Sequence, residues 1–353
     1  MIVNGKGIWP FVIIGIVVIG VVFYVVENFL ISFGIIKPHI THRFVKVKKN
    51  HIDAKFKELY NYIENKYAKD LEIDRRTLIK SFCICFILFM IAFFIFIFLK
   101  NKLDIKGRGG IFELLFIPTV FYYTHNYKKY NRNYVENYKE KIIKNLLEYS
   151  NSQLSYNKYG RKGLVDLYLD AQFLDNQFNN FVSDDYIEGY NEDGNKIEMC
   201  NFALENVNTK GEFLNIVNEG IFSVSQLNNI INGEVRIKKN NYFPNNINKV
   251  EMDSNEFEKY FDVYSKSNIL AMEILTHDLM EELVQFYNTY KINFELVIKN
   301  DRIYIRFDTG VMFEPNILRK SNDMNTLWVY YSVLNFVTDV TIKINKLIKD
   351  IQV

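Results

Sequence analysis

Residues 82–99, from Phe82 to Leu99, are 18 consecutive uncharged, apolar positions. As an α-helix at 1.5 Å per residue the run covers about 27 Å, most of a bilayer's hydrocarbon core. At roughly −0.3 to −0.6 kcal/mol for each central Leu, Ile, Val or Phe, it inserts favourably, and no soluble core needs so uniform a segment. The chain is therefore expected to be anchored in a membrane.

Two further stretches are candidate spans. Residues 8–26 carry no charge until Glu27 and are too long for a secretory h-region, so they read as an uncleaved anchor. Residues 109–127 are apolar through Ile111, Phe112, Leu114, Leu115, Phe116, Ile117, Val120 and Phe121, but contain Glu113 and Pro118. Proline is tolerated in membrane helices, and an intramembrane carboxylate is a functional-site hypothesis by default. Glu113 is thus a candidate for transport, although its closeness to Gly109-Gly110 lets it reach headgroups. An interfacial or re-entrant segment at 109–127 is the alternative.

Charge sets the orientation. Lys37, Arg43, Lys46, Lys48, Lys49, Arg75, Arg76 and Lys80 precede the second candidate, while Lys128, Lys129, Arg132, Lys139, Lys141 and Lys144 follow the third. Both clusters favour the cytoplasm. Three spans, at about 8–26, 81–99 and 109–127, satisfy this and make a multi-pass protein of the cell inner membrane. Residues 1–144 hold 23 Lys/Arg against 11 Asp/Glu, whereas 145–353 hold 20 against 30. The basic part suits a bilayer with anionic headgroups. An acidic second part argues against nucleic acid. The expected division is a transmembrane anchor with a helical stalk over 1–144 and an acidic cytoplasmic domain over 145–353, which should fold without the spans.

Apolar positions Ile52, Phe56, Leu59, Tyr60, Ile63 and Tyr67, and again Tyr134, Tyr138, Ile142, Leu146 and Leu147, follow helical spacing. They predict two antiparallel stalk helices or a coiled-coil dimer. From about 185 the period shortens towards two, with strands expected near 186–190, 196–203, 220–224, 234–238 and 250–253. Phe294–Ile298 and Ile303–Phe307 bracket a turn at Asn300-Asp301 and predict a hairpin. Helices are expected over 276–290 and 325–348, the first with Thr276 as its cap. The predicted fold is an α+β cytoplasmic domain on an α-helical membrane anchor of about three transmembrane helices.

The C-terminal half also carries a family likeness. Ser183-Asp-Asp-Tyr-Ile-Glu-Gly189, Asn218-Glu-Gly-Ile-Phe222, Val250 to Tyr264, Ile274 to Leu283 and Met312-Phe-Glu-Pro315 occur in an order that resembles a bacterial membrane-protein family of unknown function, number 3137, over roughly 170–345. That resemblance implies a transmembrane hairpin followed by a cytoplasmic domain. The chain departs from the pattern in its extra N-terminal span, at Asn218-Glu219 and at Ser267-Asn268. No activity comes with the resemblance.

Catalytic chemistry is sparse. Asp184, Asp185 and Glu188 cluster before Gly189 and are the candidate ligands for Mg²⁺ or Ca²⁺. The simpler reading is a turn of solvated acids. His277-Asp278 sits in a helix's first turn, where capping explains it without acid–base catalysis. His39, His42 and His51 lie among cations that disfavour a metal. Glu256, Glu258 and Asp262 flank Phe257 and Phe261, a pattern of core packing. Cys83, Cys85 and Cys200 supply neither a disulfide framework nor a zinc site. No motif calls for a cofactor or a catalytic residue. The expectation is a membrane-anchored binding or scaffold domain with membrane or cytoplasmic protein partners; the alternatives are a metal-dependent membrane-tethered enzyme and a small transporter subunit.

Overall fold

The computed structural model describes residues 52–103, 114–173, 177–239, 248–317 and 319–351. The expected span 8–26, the three histidines at 39, 42 and 51, and Glu113 lie outside them.

A single helix, α1, runs Ala54–Leu103. Its first half buries Phe56, Leu59, Ile63 and Leu71, three to eight residues apart and so on one face. Beyond Phe82 that order reverses. Phe86, Ile87, Ile91, Phe94 and Phe98 are exposed, and only 6% of the most apolar stretch is buried. A helix buried in a soluble core hides its apolar side chains; this one presents them outward over a length that could cross a membrane.

Chain returns along α1 as a broken helix. After a short 3₁₀ turn, α2 (Ile117–Tyr122) is followed by a π turn at Tyr123–Tyr127, α3 (Lys128–Tyr138), a second π turn at Lys139–Ile143 and α4 (Lys144–Ser150). Phe116 packs on Phe89 at 5.6 Å and Tyr127 on Phe82 at 6.5 Å between ring centroids, so the two runs are antiparallel. Among the described residues only α1 is long and apolar enough to cross a membrane, where three spans were expected. Of the third, residues 114–127 are described: the 3₁₀ turn at Leu114–Phe116, α2 and the π turn at Tyr123–Tyr127 follow one another, so no regular helix there reaches spanning length, while Pro118 lies in the first turn of α2, where its missing N–H costs no bond.

Among the described residues nine strands form one antiparallel sheet: β1 (Leu154–Tyr159), β2 (Asn180–Tyr190), β3 (Lys196–Val207), β4 (Phe213–Gln226), β5 (Glu234–Lys239), β6 (Lys249–Val250), β7 (Phe261–Ser265), β8 (Phe294–Lys299) and β9 (Arg302–Phe307). Their spatial order is β1-β2-β3-β4-β9-β8-β5-β7-β6. The expected β8–β9 hairpin is present, with Lys299 opposite Arg302 and Asn300 in the left-handed region at φ 55°, which asparagine tolerates.

Between β1 and β2, α5 (Leu164–Ala171) covers the second face of the sheet, packing its Tyr168 on Phe202 and Phe222. Fully buried Arg236 closes its C-terminal end. The guanidinium donates to the carbonyls of Ala171 at 2.9 Å and Gln172 at 2.8 Å, and pairs with Glu295 at 3.0 Å. A cation there complements the helix's orphan carbonyls and negative end.

The first face is thicker. Against it pack α6 (Asn255–Glu258), α7 (Asn268–Ile274), α8 (His277–Tyr290) and the long α9 (Met324–Ile351), together with both stalk helices. Phe56 of α1 sits 5.0 Å from Trp328 and 5.3 Å from Tyr331 of α9. One cluster unites Phe56, Leu59, Ile63, Tyr138 and Ile142 with Ile187, Ile221, Leu296 and Val337. The charge boundary near 145 is therefore not a packing boundary, and the stalk is part of the main core.

Candidate functional site

The candidate ligands lie on β2, and the local backbone decides which of them meet. Asp184 pairs with Asn201 of β3 and Ile187 with Met199, so Asp185 and Tyr186 together oppose Cys200. This is a β-bulge, with Asp185 at φ 49°. Successive side chains of a regular strand alternate faces. The extra residue breaks that alternation, and both carboxylates turn to the first face while Tyr186 joins the cluster beneath α5.

Four elements close around Asp185, whose side chain is fully buried. Lys139, in the second π turn and 8% exposed, donates from Nζ to Oδ2 at 2.9 Å. Asn201 Nδ2 donates to the same oxygen at 2.8 Å, and the Tyr156 hydroxyl of β1 donates to Oδ1. Asn201 has a second task. Its side chain donates to the Met312 carbonyl at 2.8 Å and accepts from the Met312 amide at 3.1 Å, gripping the loop after β9 as a neighbouring strand would. Phe313, at φ 62° and buried against the Tyr330 ring at 5.2 Å, completes the turn that presents Glu314. The Glu314 carboxylate then meets the same Lys139 ammonium.

Burial raises the pKa of Asp185, with Lys139, Tyr156 and Asn201 pulling the other way. Asp184 is raised by burial and by its neighbour Asp185. Glu314 is pushed up to about 7, first by burial and then by the two aspartates against the pull of Lys139. For Lys139 itself desolvation favours the neutral amine, but Glu314 and Asp185 outweigh it and hold the pKa above the ordinary lysine value. The ammonium is a fixed charge. A raised carboxyl pKa means that the folded state takes up a proton before the unfolded state does, so this contribution to stability is full below about pH 4.3 and is lost as pH rises to about 7. Glu314→Gln is therefore expected to flatten the dependence of the melting temperature on pH between about 4.5 and 7. Parallel melting curves of the two proteins across that window would refute the assignment.

Asp184, Asp185 and Glu314 have ligand oxygens all within 4.8 Å of one another. Glu188 is not among them. It lies on the opposite face, accepting from the Tyr186 hydroxyl at 2.9 Å, because strand alternation resumes after the bulge. The trio expected from the sequence is thus split by the sheet, with Glu314 in the third position. Three oxygen donors suit a hard divalent cation, but the volume between Asp185 and Glu314 is filled by the Lys139 ammonium. The donor set fits a lysine already paired better than an ion.

Lys139, Tyr156, Asn201 and Glu314 were not singled out as site residues. Glu314 belongs to the Met312-Phe-Glu-Pro315 segment that carries the family resemblance. Lys139 shares a helix face with Val135, Ile142 and Ile143, a visible signal for a buried charge. Asn201 and Tyr156 gave none. Elsewhere, Thr276 occupies the cap position of α8 with no side-chain capping bond, and Phe257 and Phe261 are buried with rings 5.3 Å apart.

Residues 217–346 match the model of a family described as "Protein of unknown function (DUF3137)", the family whose likeness the motifs carry. No curated protein matches the chain. A crystal structure of the mycobacterial trehalose monomycolate transport factor A, TtfA, aligns at 8% identity with a TM-score of 0.31, over 52% of this chain and 88% of that one. A likeness so slight bears on neither fold nor function.

Proposed function

We propose that this chain is a non-catalytic binding platform held at the cytoplasmic face of the cell inner membrane by a multi-pass anchor, with membrane or cytoplasmic proteins as its partners. One observation carries the reading. The one group of three acidic side chains close enough to share a metal among the described residues holds a lysine from the stalk, so its chemistry is engaged in fixing the helices to the sheet. Exposed apolar side chains on α1 and α2, with Tyr123, Tyr130, Lys128 and Lys129 at the boundary, support insertion with an aromatic and basic belt. Anionic headgroups are the natural counterpart of those lysines. Spans at 8–26 and 109–127 complete the proposed topology, with the loop 37–80 and the sheet domain on the same side.

A metal-dependent enzyme is the second reading, favoured by the approach of Asp184, Asp185 and Glu314. The two separate on addition of ions. A ligand that binds only the folded state stabilises by about 2.7 kcal/mol at a hundredfold excess over Kd. Melting of the detergent-solubilised full chain should not respond to millimolar Mg²⁺, Ca²⁺ or Mn²⁺. A rise in Tm with one of these, lost in Asp184→Asn, would replace the platform by the enzyme.

A further inference from the structure

The stalk and β2 run side by side, and their contacts give the direction. Asn151, just past α4, donates to the Tyr190 carbonyl at 2.8 Å; Lys139 meets Asp185 at 2.9 Å; Glu136 meets Lys158, which lies between the β1 positions paired with Tyr186 and Asp184, at 3.2 Å. Moving down the stalk towards Tyr127 is therefore moving from Tyr190 towards Asn180. Twelve residues separate Lys139 from Tyr127, about 18 Å of helix, and Tyr127 marks the level where the apolar run begins at Phe82. Five residues separate Asp185 from Asn180, which pairs with Glu205, and two more carry β3 to its end at Val207, before the turn that holds Lys210. That is roughly 23 Å of extended chain ahead of the turn, enough to reach the same level even when sheet twist tilts the strands by about 35°.

The end of that β3–β4 hairpin is unusual for the surface of an acidic domain. Phe213 is 52% and Leu214 59% exposed; as successive strand residues they point to opposite faces, beyond the cover of either layer. The turn is internally satisfied. The Asn208 side chain accepts from the amides of Lys210 and Glu212, each at 2.9 Å, and the Asn208 amide donates to the Glu212 carbonyl at 2.9 Å. Gly211, at φ 77°, permits the bend. A turn whose backbone groups are already paired loses little on leaving water.

We propose that this hairpin tip is a second membrane contact, seating Phe213 and Leu214 in the headgroup and upper acyl region of the bilayer that α1 crosses. The proposal rests on the tether reading. With it the domain would be held at two points, a helix pair and a hairpin, and so fixed in tilt as well as in height.

A fluorescent probe tests this in the full chain, with Cys83 and Cys85 replaced by Ala and the fully buried Cys200 retained. A nitrobenzoxadiazole label is placed at Lys210→Cys, at Ile230→Cys beyond the other end of β4, or at Ile91→Cys on α1. Each protein is reconstituted in phosphatidylcholine and phosphatidylglycerol vesicles carrying a spin label at a shallow or deep acyl position. The 210 probe is expected to shift to the blue relative to the 230 probe and to be quenched by the shallow label. Phe213→Ser combined with Leu214→Ser should return it to the water-exposed spectrum. Equal, water-like emission at 210 and 230, with the 91 probe quenched by the deep label, would overturn the hairpin contact and leave the tether standing. An unquenched 91 probe would overturn both.

Discussion

Lys139→Met is expected to destabilise the folded domain by about 3–5 kcal/mol, the cost of leaving a buried carboxylate without its countercharge. Asp185 is fully buried and shares only Tyr156 and Asn201 once the ammonium is gone. Asp185→Asn should also be severe, since it strands the cation. The double variant Lys139→Met/Asp185→Asn should lose less than the sum of the two, because neither charge then remains to be solvated. Denaturant titration of the solubilised protein measures all three. A single-variant loss below about 1 kcal/mol, the range of exposed pairs, would show that the cluster does not hold stalk and sheet together.

Residues 145–353 expressed alone should fail to fold. Phe56, Leu59, Ile63 and Leu71 of α1 and Tyr138, Ile142 and Ile143 of the returning helix are all buried in the main core. At about 1.5–3 kcal/mol for each buried side chain their loss is on the order of 10–20 kcal/mol, an upper figure that still rivals the roughly 5–15 kcal/mol by which domains are stable. A chain that keeps 52–81 and 128–353, with a short Gly/Ser linker replacing 82–127, should instead be soluble and melt cooperatively, because Phe82 and Tyr127 already stand 6.5 Å apart. Cooperative melting of 145–353 by itself would mean that the helices merely lie on a complete domain.

These two results bear on what a sequence discloses. The 18-residue apolar run, the β8–β9 hairpin and α9 were legible because each is set by a local pattern of side chains. The extent of the core was not. Net charge changes sign near 145, but charge records which surfaces face solvent, whereas Phe56 joins the core on Trp328 and Tyr331, far along the chain, and Ile142 joins the same cluster as Ile187 and Ile221 of the sheet. The site failed in a similar way. Asp184 and Asp185 drew attention as acids, yet their partnership depends on a bulge that reverses alternation at one residue, and on a lysine, an asparagine and a glutamate brought in from three other elements. Glu188 looked equivalent in the sequence and ended on the far face because period-two geometry resumed one step before it. β1 and α5, short and with mixed polarity, carried no period strong enough to announce them.

Finally, the two π turns at Tyr123–Tyr127 and Lys139–Ile143 act on phase. An α-helix advances about 100° per residue, and a π turn holds one residue more than the regular winding would. Each therefore rotates everything on one side of it relative to the other. The segment against α1, the segment bearing Tyr134 and the segment bearing Leu146 are in effect three helices with separately chosen azimuths, so that one can face the anchor while the next offers Lys139 to the sheet. The length of this run is consequently quantised: losing a single residue within either turn would restore regular winding and swing one contact face about a quarter of a revolution away from its partner.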